Sequence, residues 1–384
     1  MSQSLSPELI EAARRAQRDE RLAGTLAAQC PELQADGLDT LVHPECQMLA
    51  HSLKTHGDAN LAVSQYFAVA LQQYRVVRQL MERLFIQPDR IEFLDFACGY
   101  GRLLRFLVHR LPHESIHAAE IQHDAVEWVR QRYGIHALAS SAVPEDFDPG
   151  RRFDMVWAAS LFSHLPDELF GRWLQQLGDL LDANGVLCFS VHDEATLPAD
   201  MSVSDDGVLY IAGSENADLD PAIYGTTFVS QAYVERAIRT RLGTDTAIKR
   251  LPRLLAHEQD VYVVAKDHRD LSVLDGFRYG TRGWLDELHI DDEAGTLWLA
   301  GWAGSLDAAP FDCVEIGLDD RVHRQSVGEP QPKVAEVLGR PGLADSGFSC
   351  TLPLPQSPAP WLSLSAVAED GERALIYAGR LHRR

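Results

Sequence analysis

The sequence predicts a doubly wound, mostly parallel α/β sheet with a helical cap ahead of it and an all-β sandwich behind it. Three observations carry this prediction. From residue 91 to residue 191, short apolar runs alternate with amphipathic helical patterns over short links, as parallel βαβ units require. Before that stretch, apolar residues recur at helical spacing; after about residue 283 they alternate with period two. The chain has 384 residues, a length that suggests two or three domains. The segments are set at 1–60 for the N-terminal helical region, 61–267 for the α/β domain and 283–384 for the β-sandwich.

Residues 7–30 read as helix, with Ser6 as cap, Pro7 in the first turn and Pro31 as the stop. Leu61–Phe85 is a long amphipathic helix through Val63, Phe67, Leu71, Tyr74, Leu80 and Leu84, broken by Pro88. Strands follow at Ile91–Ala97, Ser115–Ile121, Ile135–Ser140, Phe153–Ser160 and Val186–Val191. The helices between them are Arg102–Arg110, Asp124–Tyr133 with Gly134 as its stop, and Pro166–Leu181. Residues 195–228 are less regular, with short strands at Val208–Ile211 and Thr226–Val229. An insertion of this length suits a lid or a substrate wall. Ser230 caps a helix at Gln231–Leu242, and Ala247–Leu255 pairs antiparallel with Asp260–Ala265 to close a sheet edge. In the last third, Thr296–Ala300, Cys313–Leu318, Phe348–Leu354 and Leu362–Ala368 alternate, and Asp370-Gly371 signals a hairpin toward Ala374–Ala378. Trp298, Trp302 and Trp361 lie in or beside these strands, where burial in the core is the default over stacking on sugar faces.

Composition narrows the function. Asp and Glu total 56 against 35 Lys and Arg, a net charge of -21, and such a surface repels nucleic acid and anionic membrane. No apolar run approaches the ~20 residues that cross a bilayer. The N-terminus lacks the apolar centre of a signal peptide, so a soluble cytoplasmic protein is expected. The six cysteines stand singly, without a Cys-x-x-Cys pair, which argues for a reducing compartment. His43, Cys46, His51 and His56 follow no zinc spacing, so no metal site is expected.

The chemistry centres on Glu92–Leu107, a short apolar strand, a glycine turn and the start of a helix. A turn of this kind at the carboxyl end of a parallel strand is where open α/β sheets bind nucleotide-like ligands. A dinucleotide turn needs Gly-x-Gly-x-x-Gly, but with Gly99 and Gly101 as the first two glycines the third position holds Leu104. A phosphate loop needs Gly-Lys-Ser or Gly-Lys-Thr, also absent. What remains is Asp95-x-Ala97-x-Gly99-x-Gly101. Then comes Glu120, a carboxylate at a strand end 19 residues after Gly101 and able to meet a ribose diol.

These residues resemble the first motifs of class I S-adenosylmethionine-dependent methyltransferases. Ala97 stands where that family often has glycine. Phe153–Pro166, with His164-Leu165-Pro166 after the strand, is similar to the family's fourth strand and loop, and Leu181–Leu187 to its turn before the fifth strand. The resemblance covers about residues 60–266 and implies a Rossmann-like, seven-stranded sheet binding S-adenosylmethionine. It implies that Asp95, Ala97, Gly99 and Gly101 face the methionine end of the cofactor. Glu120 and Ile121 would then lie at the ribose, Ser140 and Ser141 near the adenine, and Ser160 at the end of the fourth strand. Glu145 and Asp146 are looser adenine candidates. The N-terminal helices would cover the cofactor, with Tyr66-Phe67 in a lid.

Methyl transfer needs alignment of the acceptor with the methyl group, and a base when the acceptor is a hydroxyl. Base candidates at the ends of strands four and five are His192 first, then Asp193, Glu194 and His164; His192 is equally readable as a backbone-bonded strand-end residue, and His164 more readily as a residue that orients the loop backbone around the cofactor. Tyr66, Tyr210 and Tyr224 are candidates to line the pocket. The sandwich, with Trp298–Ala303 followed by Val314-Glu315-Ile316, is loosely similar to accessory domains of bacterial glycan-modifying enzymes. The expectation is a methyltransferase acting on a small molecule or glycan, at oxygen, with a protein partner or self-association possible through the sandwich. The alternatives are a non-catalytic, cofactor-sensing assembly protein and a protein methyltransferase.

Overall fold

The computed structural model describes residues 5–213, 220, 222–256, 258–266, 269–307 and 310–382. His257, between the edge strands expected at Ala247–Leu255 and Asp260–Ala265, lies outside them. The chain forms two compact units: Gln73–Phe277, and the chain up to Gln72 together with the chain from Arg278 onward. The N-terminal helices therefore share a unit with the β-rich C-terminal part.

The helices are α1 (Pro7–Gln17), α2 (Glu20–Ala27), α3 (Gln47–His56) and α4 (Ala59–Leu84), the last divided between the units. The expected single helix over 7–30 is two helices. Asp19 interrupts it, because its carboxylate accepts the Arg21 N–H and caps α2.

The Gln73–Phe277 unit continues with β1 (Phe93–Phe96), α5 (Leu104–Leu107), β2 (Ile116–Glu120), α6 (His123–Tyr133), β3 (His136–Ala139), β4 (Phe153–Ala158) and α7 (Asp167–Asp179). Then come β5 (Leu181–Asp193), β6 (Val208–Ile211), β7 (Thr226–Val229), α8 (Gln231–Leu242), β8 (Ala247–Leu255) and β9 (Gln259–Ala265). Strands β3-β2-β1-β4-β5 run parallel; β9 pairs antiparallel with β5, and β8 with β9. This is a Rossmann-like doubly wound sheet. It has nine strands rather than the expected seven, because the 195–229 insertion folds into the sheet. Strand β4 ends opposite Phe189, and β7 takes up the same edge of β5 at His192 and Asp193, with β6 antiparallel beside it. The insertion thus extends the sheet at the carboxyl end of β5.

Helix α7 buries Phe170, Trp173, Leu174 and Leu177 against the sheet residues Phe96, Val156 and Phe189. The rings of Phe162, Phe170 and Phe189 meet with centroids 4.6–6.2 Å apart. Each such fully buried aromatic stabilises the fold by ~1.5–3 kcal/mol.

The other unit contains β10 (Thr281–Asp291), β11 (Thr296–Ser305), β12 (Phe311–Leu318), β13 (Arg321–Gln325), α9 (Pro332–Leu338), β14 (Gly347–Pro353), β15 (Trp361–Ala368) and β16 (Arg373–Arg380). A β10-β11-β14 sheet and a β13-β12-β15-β16 sheet share one core, including Leu297, Leu299 and Phe348 from the first and Ile316, Leu364 and Ile376 from the second. The Asp370-Gly371 hairpin joins β15 to β16, with Gly371 at φ 87°. The N-terminal helices bond to this unit: Arg380 donates to Asp19, Gln29 to Ser365 and Asn60 to the Arg380 carbonyl. Tyr66 and Phe67 are buried. Trp361 is buried as expected, beside the Arg380 guanidinium. Trp298 and Trp302 are not: Leu297, Leu299 and Ala303 occupy the inward phase of β11, so the tryptophans face outward.

Candidate functional site

Strand β1 runs between β2 and β4, with Asp95 level with Ala118 and Trp157, so the turn after it opens at the carboxyl end of the sheet. The turn holds three left-handed residues: Ala97 at φ 58°, Gly99 at 54° and Gly101 at 79°. Gly101 has to be glycine on a second count, since a Cβ there would stand 2.6 Å from the Tyr133 ring. At Gly99 no protein atom lies within 4 Å of where a Cβ would be, so this side of the turn is open. Ala97 carries the steric cost of a left-handed non-glycine residue. Ala97→Gly is expected to stabilise the unit by ~0.5–1 kcal/mol, net of the entropy glycine adds to the unfolded chain, read as a higher urea midpoint.

Glu120 ends β2 and clasps the turn. Its Oε2 accepts the Gly99 N–H at 2.8 Å, and its Oε1 accepts the N–H of Ile121 at 2.7 Å and of Gln122 at 3.2 Å. A carboxylate offers about four acceptor positions, so one remains on Oε2. Burial raises the Glu120 pKa, although the three N–H groups pull the other way. Asp95 is pushed up to about 8, by burial first and by the Glu120 charge second, against a smaller opposing pull from Arg102. Two buried carboxylates of like charge favour a proton or a cationic ligand between them. Nearby, the Tyr100 hydroxyl donates to Asp124 at 2.5 Å.

At the end of β3, the Ser140 N–H donates to the Glu120 carbonyl at 2.8 Å, which ties this strand end to the turn. The Ser141 hydroxyl accepts the Val143 N–H and is engaged locally. Glu145 is held by Arg172, whose hydrogen bonds keep the carboxyl at about 2.

A second group gathers at the ends of β4, β5 and β9. Ser160 is left-handed, at φ 60°. Its N–H donates to the Ser190 hydroxyl at 2.7 Å, and both serine hydroxyls donate to Gln259 Oε1, at 3.1 and 2.6 Å. With its oxygen so engaged, the Gln259 amide nitrogen faces His192 Nε2 at 3.3 Å. His192 is lowered to about 4, chiefly by burial and then by His164. The two histidine rings lie 6.3 Å apart. His164 Nδ1 meets the Gly225 carbonyl at 2.7 Å, and its ring stacks on Tyr224 at 4.6 Å. Segment 225–227 also bonds the loop backbone at Ser163 and His164, so the hairpin insertion braces this loop.

Asp193 is not part of that group. Successive strand residues point to opposite faces, and the Asp193 carboxylate accepts from Arg250 at 2.8 Å and from the Ala195 N–H at 3.0 Å. Arg250 also donates to buried Asp260 at 2.6 Å. Sequence reasoning missed Ser190, Gln259 and Arg250. Ser190 gives a signal, a lone hydroxyl inside an apolar strand, but nothing local pairs it with a residue 69 positions away. Among the described residues, no group of three or more His, Cys, Asp or Glu could hold a metal ion, and no helix is long and apolar enough to cross a membrane.

Residues 94–187 match a family described as a methyltransferase domain. Over 146 residues the chain is 27% identical to a malonyl-[acyl-carrier protein] O-methyltransferase of Acetivibrio thermocellus, covering 38% of this chain and 50% of that one. Over 142 residues it is 25% identical to a trans-aconitate 2-methyltransferase of Rhodopseudomonas palustris, covering 37% and 54%. The chain thus spans about half the length of the curated relatives it matches. Among solved structures, an S-adenosylmethionine-dependent methyltransferase from Clostridium acetobutylicum aligns with a TM-score of 0.38 at 12% identity, covering 57% of this chain and 97% of that one.

Proposed function

We propose, from the match of residues 94–187 to a methyltransferase-domain family, that this protein is a class I methyltransferase that binds S-adenosylmethionine and transfers its methyl group to a small molecule or saccharide, at oxygen. The observation that carries the reading is the glycine turn: a backbone open on the Gly99 side, beside two buried carboxylates. The residues fit the cofactor. Its methionine end is cationic and ribose-linked, and this turn supplies space, negative charge and a spare carboxylate lone pair. Ala97, Gly99 and Gly101 let the backbone approach the methionine portion, Asp95 faces its positive charge, and Glu120 with Ile121 meets the ribose. Ser140 and Ser141 border the adenine, and Ser160 closes the site from β4.

The bound cofactor supplies an activated methyl group. The chain must align the acceptor and, for a hydroxyl, take its proton. His192 is neutral at pH 7, because its pKa lies near 4; its Nε2 lone pair takes the Gln259 amide N–H in the free protein, so an acceptor hydroxyl has to displace that contact to reach it, with His164 beside it. His192→Gln is expected to lower kcat by ~10²-fold or more, within the range for general bases, and to leave cofactor affinity unchanged. A kcat within threefold of wild type removes His192 from the chemistry.

Cofactor binding should also be linked to protons. In the free protein Asp95 keeps its proton up to about pH 8, and a cation bound beside it favours the ionised form. Below that pH, binding must expel a proton. Affinity is therefore expected to rise with pH and level off above about 8. Calorimetry in buffers of different ionisation enthalpy at pH 7 measures the proton release; a heat independent of buffer refutes it. The function itself is tested by incubating the protein with a methyl-labelled donor and extracts separated into lipid, glycan, protein and small-molecule fractions. Label in the protein fraction alone would replace this acceptor class with protein methylation.

A further inference from the structure

The three-stranded β10-β11-β14 sheet turns a row of indoles away from its core, and we propose that this face is a binding site for a neutral saccharide. Trp298 and Trp302 lie on β11, and Trp284 on β10 is directly opposite Trp302; the Trp284 ring packs on His56 at the end of α3, with centroids 5.3 Å apart, so the open part of the row is Trp298 and Trp302. All three are half-buried, and the inward positions of β11 are filled by Leu297, Leu299 and Ala303. A register shift between Leu285 and Glu287 brings Glu287 and His289 to the same outer face, opposite Ala300 and Trp298. The His289 ring stacks on Trp298 with centroids 5.6 Å apart. From β14, Ser349 and Thr351 stand opposite Ala300 and Trp298.

The layout fits sugar rings. Trp298 and Trp302 are four residues apart on one strand, about 13 Å at ~3.3 Å per residue. Between them the floor is low, because Ala300 and Ser349 are small. A pyranose offers a plate of polarised C–H bonds on one side and hydroxyls around its rim. The C–H plate packs on the electron-rich face of an indole. The rim hydroxyls need donors and acceptors: Glu287 and His289, which meet each other at 3.3 Å, and Thr351 supply both kinds, while Ser349, whose hydroxyl donates to Glu329 at 2.5 Å, keeps acceptor capacity only. The Glu287 and His289 side chains are 56% and 70% exposed, so they are available to solvent-borne groups. None of these positions is lysine or arginine, and Glu287 is acidic, so charge favours a neutral glycan over a sulfated or phosphorylated one. A protein partner anchored on the same indoles would have to desolvate Glu287 and His289 beside them, at a cost that hydroxyl-bearing ligands avoid. The proposal does not depend on the methyl-transfer reading.

The test uses the full-length protein, titrated by calorimetry with gluco-, manno-, galacto- and rhamno-oligosaccharides of three or four residues and with a sulfated glycan as control. At least one neutral series is expected to bind with a Kd between about 10 µM and 1 mM, typical of a shallow site of this size, and more tightly than the control. Trp298→Ala should weaken that binding at least tenfold, Trp298→Ala with Trp302→Ala should abolish it, and Trp298→Phe should retain most of it. Circular dichroism should stay unchanged in all three variants and the thermal midpoint should fall only modestly, since these half-buried side chains lie outside the core. The proposal is overturned if no neutral series binds, if binding survives the double substitution, or if the control binds more tightly. It is equally overturned if sedimentation reveals a dimer that the double substitution dissociates, which makes the face a protein interface.

Discussion

Gly99→Val is expected to abolish binding of S-adenosylmethionine, with at least a 100-fold loss of affinity. Two effects act together. Gly99 sits at φ 54°, where a β-branched residue is strained by ~1–2 kcal/mol or more. A side chain there would meet no protein atom within 4 Å of its Cβ, so it would project into the space assigned to the cofactor. The loss therefore comes mainly from occlusion. Gly99→Ala separates the two: it carries most of the backbone cost with less bulk, and should lose about tenfold, near 1.4 kcal/mol. Calorimetry with S-adenosylmethionine and S-adenosylhomocysteine measures both variants, and circular dichroism checks that the fold persists. Normal affinity in Gly99→Val would remove the glycine turn from the cofactor site.

Glu120→Ala should damage both stability and binding. It strips the acceptor from three backbone N–H groups, those of Gly99, Ile121 and Gln122. Losing a buried partner costs ~1–3 kcal/mol per group, and water entering the vacated space offsets part of it. A loss of about 2–3 kcal/mol is expected in urea unfolding, with a 100-fold or greater fall in cofactor affinity as the turn loosens and the ribose contact goes. Glu120→Gln is the control. It preserves size and one acceptor oxygen but turns an NH2 toward a backbone N–H, so its effects should be intermediate. If Glu120→Ala loses stability but binds cofactor as well as wild type, the residue is only a clasp for the turn.

The strands and helices of the α/β unit were legible in the sequence because each is a local pattern. Period two and short apolar runs identify strands, and Gly134 punctuates them; the turn expected over Leu181–Leu187 instead lies within β5 as a break in its register with β4. The glycine turn was legible for the same reason: three left-handed positions within five residues leave a mark in residue type, Ala97 excepted. The break at Asp19 was missed because its cap competes with a helical pattern that continues on both sides. Of the second group, His164 and His192 were visible as strand-end residues. Their partners were not, because Gln259 meets Ser160 and Ser190 only once β9 has paired with β5.

The sequence by itself determined the class of sheet, the place of the turn and the carboxylate that follows it, all of which rest on spacing along one chain. Tertiary structure alone decided what long-range pairing controls. The nine-stranded sheet arises because the 195–229 insertion finds an edge of β5 left open past the end of β4. The turn of Asp193 toward Arg250, away from the histidines, follows from strand alternation together with a partner 57 residues away. The outward tryptophans follow from which phase of β11 meets the opposing sheet. Period two defines two faces of a strand, and only the packing of one sheet on another says which face is inside.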